Sequence, residues 1–253
     1  MYSLAGLAVG VLVGLTGVGG GSLMTPLLVL AFGFHPATAV GTDLLYASAT
    51  KTVGTAVHGF SGTVDWKVVR RLATGSVPAT IVTLVLLSFT GKQLEGATHI
   101  ITISLGIALI LTAISMTFRA RILAYFATRL DDIAPERIAR FTIILGAVLG
   151  VLVSLSSVGA GAIGMTALLV LYPKIPINRL VGSDIAHAVP LTLVAGAAHW
   201  VMGSVNVGLL LSLLLGSIPG IIVGSLISTR VSDRALRPIL AVTLAIVGGK
   251  LLF

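Results

Sequence analysis

Gly41-Thr42-Asp43-Leu44 returns 141 positions later as Gly182-Ser183-Asp184-Ile185. At the same offset His58 returns as His199, Gly62 as Gly203, and Gly75-Ser76-Val77-Pro78 as Gly216-Ser217-Ile218-Pro219. Upstream, Val18-Gly19-Gly20-Gly21 answers Val158-Gly159-Ala160-Gly161 at offset 140, the slip falling in the loop 33–38 and its partner. The matched residues are the rare polar and helix-breaking ones, not interchangeable Leu and Val. The chain is therefore read as two related halves. Each carries an intramembrane Asp, a His and a glycine-rich break, a pattern found in many secondary transporters.

Composition puts both halves in lipid. Apolar residues make up 56% of the 253 and charged residues 9%, against about 25% charged in a soluble domain. Apolar runs near 3–32, 39–60, 68–88, 97–117, 140–172, 179–202, 206–228 and 235–253 are each long enough to span a bilayer, which takes roughly 20 residues. The start has neither a charged n-region nor a small-residue cleavage site, so the first run is expected to be mature protein. Cysteine is absent, which excludes disulfides, thiolate metal sites and thiol relays. The net charge of +8 is assigned to topology-setting loops rather than to nucleic-acid binding. The expected organisation is a transmembrane repeat over 1–117, a polar cytoplasmic linker over 118–139 and a second repeat over 140–253. A short interfacial helix within the linker is expected to end before Pro135.

Runs 3–32 and 140–172 are too long for one simple span, and each contains a glycine break. If both are ordinary spans, each half crosses four times and the halves are parallel. If each folds into a re-entrant pair of half-helices, each half crosses three times and the second is inverted. The positive-inside rule separates the two. The parallel arrangement puts nine Lys and Arg inside and six outside; the inverted one puts thirteen inside and leaves Lys92 and Lys250 outside. The expected fold is thus an all-α polytopic membrane protein of two inverted repeats with broken helices at the glycine-rich segments. Non-helical backbone at membrane depth is tolerated where protein or a water cavity covers it.

Three constellations could carry chemistry. The first is the pair of breaks, with Gly19, Gly20, Gly21 and Ser22 in one half and Gly159 and Gly161 in the other. A half-helix after each break starts with free N–H groups and a positive dipole end, which suits an anion; small-residue helix packing is the other reading. The second is Thr42-Asp43 and Ser183-Asp184. These carboxylates are read both as helix-start residues beside N-caps and as coupling groups that take up protons or hold a cation. The third is Lys51, Thr55 and His58, on one helix face by their spacing, with Thr192, Gly196 and His199 as the counterpart face of the second half. His187 lies one turn from Asp184 and joins it as a coupling candidate. Lys51 is about a dozen residues into its span, where a charge costs at least ~2.5–3.5 kcal/mol on insertion scales. It must face a cavity or a partner such as Asp43. Gly75-x-x-Pro78 and Gly216-x-x-Pro219 are read as close helix packing with a kink.

The chain resembles the TauE/SafE family, membrane permeases associated with export of sulfite and organosulfonates. The resemblance covers nearly the whole sequence. It rests on Gly17-Val18-Gly19-Gly20-Gly21 with Pro26, Ala39-Val40-Gly41-Thr42, His58 followed by Gly62-Thr63-Val64-Asp65-Trp66, and Gly75-x-x-Pro78. In the second half it rests on Val181-Gly182-Ser183, His199, Gly203 and Gly216-x-x-Pro219-Gly220. The second copy departs from the first at Asn206 for Asp65, Val207 for Trp66 and Thr192 for Lys51. The resemblance implies transport of a small sulfur-containing anion such as sulfite, coupled to the proton gradient, by a multi-pass protein of the plasma (inner) membrane. The expected partners are that anion, protons and the lipid bilayer. Alternating access between the repeats is the leading mechanism. A passive anion channel and a cation-coupled transporter using Asp43 and Asp184 are the alternatives, and Lys51 argues against the cation. No enzyme is expected, since the polar residues come as symmetric pairs on separate helices, and no cofactor or metal. The sequence leaves the oligomeric state open.

Overall fold

The computed structural model describes residues 1–16, 21–60, 62–90, 94–127, 134–227 and 233–252. The helices are α1 (Tyr2–Thr16), α2 (Gly21–Leu30), α3 (Pro36–Phe60), α4 (Trp66–Thr90), α5 (Leu94–Ala127), α6 (Pro135–Ser156), α7 (Ala162–Leu171), α8 (Ile177–Val201), α9 (Val207–Ile227) and α10 (Asp233–Leu252). No strand occurs among the described residues. Within α4, α5, α6 and α8, segments of 22–29 residues are long and apolar enough to cross a membrane. α3 has the length but not the apolarity, because Asp43, Lys51 and a run of Thr and Ser dilute it. The architecture is all-α and polytopic.

Helix starts follow local chemistry. Pro36 and Pro135 open α3 and α6, where the missing N–H costs nothing. Asp65 Oδ1 accepts the N–H of Lys67 at 3.0 Å at the start of α4. Asn206 Oδ1 accepts the N–H of Leu209 at 2.9 Å at the start of α9. Residues 118–127, expected from the sequence to form a separate interfacial helix, continue α5 instead. Nothing helix-breaking stands between Thr117 and Ala127, so one helix runs on.

The packing exchanges the halves. α1 lies against α9, and α6 lies against α4. Glycine sets both contacts. A Cβ at Gly75 would run into the carbonyl oxygen of Ile143, and one at Gly216 into that of Ser3. Gly146 abuts Leu72 as Gly6 abuts Leu213, and Gly150 abuts Ser76 as Gly10 abuts Ser217. In both pairs the numbers rise together, so α1 runs parallel to α9 and α6 parallel to α4. Without water to drive association inside lipid, such close approach supplies the dispersion contact that holds helices together. This matches the packing role expected of Gly75 and Gly216.

Two further contacts orient the broken pairs. The Tyr2 ring packs 5.2 Å from Phe32 and 5.7 Å from Phe34, so α1 begins where α2 ends. The Thr142 and Tyr172 hydroxyls are 2.7 Å apart, so α6 begins where α7 ends. Arg71 donates to Tyr172 Oη at 3.2 Å and Arg179 pairs with Asp65 at 3.4 Å, which brings the starts of α4 and α8 to that same end. α3 and α8 cross antiparallel, with Gly41 against His199, Gly196 against Leu45 and Gly54 against Ile185.

Candidate functional site

Lys51 and Thr192 occupy equivalent positions, and both lie near the middle of the α3–α8 crossing. Both line a narrow cavity of about 10 Å³, roughly the space one water needs. The remaining wall is Ala47 of α3, Thr112 of α5, Val153 of α6, and Ser157 with Gly159–Ala162 at the second glycine break. Apolar helix packing thus leaves a polar opening where a cation, hydroxyls and a broken helix meet.

The break is built by its sequence. Ser157 takes a left-handed conformation with φ 59° and Gly159 has φ 120°, a region that glycine reaches without strain. Ser156 Oγ accepts the N–H of Val158 at 3.1 Å and fixes the entry to the turn. α7 then starts at Ala162, and its first internal acceptors are Gly159 and Gly161, which take the N–H groups of Gly164 and Met165. The N–H groups ahead of Gly164 are the orphan donors of a helix start, at the positive end of its dipole. Ser157 Oγ is buried without a partner beside them.

Lys51, on the wall of the opening, has two buried carboxylates for electrostatic neighbours. Lys51 lies within electrostatic reach of Asp43 and Asp184, yet it makes no ion pair within 4.0 Å among the described residues. Asp43 is fully buried. Its Oδ2 accepts the hydroxyl of Thr25 at 2.5 Å, and its Oδ1 has no partner. Asp184 is buried too, and its Oδ1 is also unpartnered. An ionised carboxylate in such surroundings is costly unless a charge or donors compensate it, and Lys51 is the compensating charge at hand.

Of the residues named from sequence, Lys51, Thr192, Gly159 and Gly161 come together on the cavity wall, with Asp43 and Asp184 within electrostatic reach of Lys51. Thr55 has a buried, unpartnered hydroxyl but lies off this wall. His199 is also off it; one ring nitrogen meets the carbonyl oxygen of Ser154 at 2.9 Å. His187 Nε2 lies 2.9 Å from Ser76 Oγ. Gly19, Gly20 and the side chains of Ser22 and His58 lie outside the described residues, and Gly21 begins α2. Thr25, Thr112 and Ser157 reach the site without having been singled out. Thr25, just before Pro26, had a signal in its place within the half-helix after the glycines; Thr112 had none. No group of three metal-ligating side chains occurs among the described residues.

Comparison with known proteins places these features in context. A family model described as Sulfite exporter TauE/SafE matches residues 2–251. A protein of Bacillus subtilis (strain 168) named "Probable membrane transporter protein YjnA" is 40% identical over 250 residues, covering 98% of this chain and 98% of that protein. A second, "Probable membrane transporter protein YunE" of the same organism, is 41% identical over 68 residues, 27% of this chain and 25% of that one. No solved structure matches.

Proposed function

Because the chain belongs to the sulfite exporter TauE/SafE family and is a multi-pass protein of the cell membrane, we propose that it is a secondary transporter that exports a small sulfur-containing anion, sulfite or an organosulfonate, with transport coupled to the proton gradient. The observation that carries this reading is Lys51. Its side chain from the first half lines the same cavity as the glycine break of the second. A compact cation facing the start of a half-helix is an anion site.

Alternating access between inverted halves supplies the mechanism. Both glycine-broken pairs start and end together, as Tyr2 with Phe32 and Thr142 with Tyr172 indicate. Three crossings per half then remain, and an odd number turns the second half over. The antiparallel α3–α8 crossing supports the same arrangement. Asp43, Asp184 and His187 are the coupling candidates around Lys51.

The test is a panel of sulfite, thiosulfate, sulfoacetate, taurine and simple carboxylates in proteoliposomes, with and without an imposed pH gradient. One sulfur-containing anion is expected to accumulate uphill, and only with the gradient. Downhill flux alone assigns the protein as a facilitator. Uphill transport of a cation in place of any anion refutes the anion site.

A further inference from the structure

Asp43 and Asp184 hold the same place in the two halves, but their partners differ. Thr25 on α2 donates a hydrogen bond from its hydroxyl to Asp43 Oδ2, and the Ser157 hydroxyl is also beside that carboxylate. At offset 140, the residue matching Thr25 on α7 is Met165, which has no proton to give. The nearest hydroxyl, that of Thr166, is engaged elsewhere: it donates to the Ala162 carbonyl at 2.8 Å and accepts from Ser115 at 2.9 Å. No hydrogen bond reaches the Asp184 side chain among the described residues. Its Oδ1 instead faces the first turn of α7, where a Cβ added at Gly164 would lie 3.0 Å away.

Asp184 therefore occupies ground that the anion needs. Both would be drawn to Lys51 and to the positive end of α7. With Lys51 protonated and both carboxylates ionised, the opening carries one net negative charge before any anion enters. Two anionic groups at one helix end repel, and one of them must be neutralised or leave. Asp43 is the wrong one to neutralise, since its ionised form is the one Thr25 supports.

The other charged and titratable groups do not relieve this. α3 contributes Asp43, Lys51 and Tyr46. On α8 itself, His187 lies one turn on, bonded through Nε2 to Ser76 of α4. A further proton there would add charge beside Lys51 and make both ring nitrogens donors, with no acceptor to receive that of Nδ1. Asp65 and Arg179 pair with each other near the start of α8. The charged residues of α4 and α6 lie in their first two turns, and α7 has none.

Resting on the anion reading above, we infer that Asp184 alone takes up a proton when an anion binds against Lys51 and the start of α7, so that one proton and one anion occupy the protein together. The proton comes from solvent to the Asp184 carboxylate and returns to solvent when the anion leaves. Asp43 stays ionised and acts as a positioning residue.

Calorimetry on the purified protein, in buffers of different ionisation enthalpy at mildly alkaline pH, counts protons taken up per anion bound. Thiosulfate and sulfoacetate are the probes, since neither itself titrates there. The wild type is expected to take up about one proton per anion, with affinity falling about tenfold per pH unit. Asp184→Asn is expected to bind with no uptake and a flat pH profile, and Asp43→Asn to keep the uptake. Met165→Thr returns the missing donor to Asp184, so uptake at neutral pH should drop below one; it serves as the second variant should Asp184→Asn misfold. Binding to the wild type without proton uptake overturns this inference and leaves the anion reading standing. Uptake that survives in Asp184→Asn, or disappears in Asp43→Asn alone, overturns it too. If neither probe nor any other anion of the panel binds, both readings fall.

Discussion

The backbone N–H of Asp65 donates to the hydroxyl of Ser183 at 2.8 Å, joining the loop between α3 and α4 to the first turns of α8. At the other end of those helices the N–H of Asn206 donates to Thr42 Oγ1 at 3.0 Å. These are the same bond made twice, with the halves exchanged. The hydroxyl beside each Asp of the internal repeat therefore clamps a loop of the opposite half. Each such bond is worth about 0.5–1.5 kcal/mol net. Ser183→Ala and Thr42→Ala are each expected to lower the thermal midpoint in detergent. Their effects should add within about 0.5 kcal/mol in the double variant, because the sites share no partner.

Gly75 gives a sharper packing test. Gly75→Ala places a methyl group against the carbonyl of Ile143, so α4 and α6 must part, at a cost of about 1–3 kcal/mol. Gly249→Ala meets nothing within 4 Å and should leave stability unchanged or raise it by up to about 1 kcal/mol through helix propensity. Thermal unfolding of both variants checks the contrast. Equal loss in the two would show that helix–helix spacing is not what Gly75 provides.

The chain's freedom from cysteine makes the orientation measurable. Single cysteines at Arg121 and Lys174 are expected to react with an impermeant reagent from one side of the membrane, and one at Lys250 from the other. Labelling of Arg121 and Lys174 from opposite sides rules out inverted halves.

Lys51→Ala should abolish anion binding or weaken it by at least an order of magnitude. Lys51→Arg should keep part of it, because a planar guanidinium is larger than an ammonium and the cavity is narrow. Titration of each variant with thiosulfate reads this directly. Unchanged affinity in Lys51→Ala returns Lys51 to a structural role.

Much of this was legible in the chain before folding. The exchanged contacts of Gly75 and Gly216, and of Thr42 and Ser183, sit at the offset that the repeat announces. Lys51 and Thr192 could be matched as equivalents by that offset too, but not placed face to face at the centre of the helix crossing, which depends on a crossing angle. Thr25, Thr112 and Ser157 were hidden for a physical reason. Single hydroxyl residues are common in apolar helices, where they bond back to their own carbonyls, as Thr50, Thr52 and Thr117 do here. Only tertiary placement separates a hydroxyl that serves a carboxylate from one that serves its own helix. The same limit hid the run of α5 past residue 117, since charged residues there look like the end of a span.

The pairing of α1 with α9 sets an order of events during synthesis. Gly6 packs on Leu213, so at about 5–20 residues per second the first helix waits roughly 10–40 s for its neighbour, about two hundred residues away. α4 and α6, close in sequence, meet long before. The α4–α6 pair is therefore packed while α1 still waits for α9, and a chain stalled near residue 200 should hold α1 loosely. Protease sensitivity of α1 in such a stalled chain, set against that of α6, reads the difference.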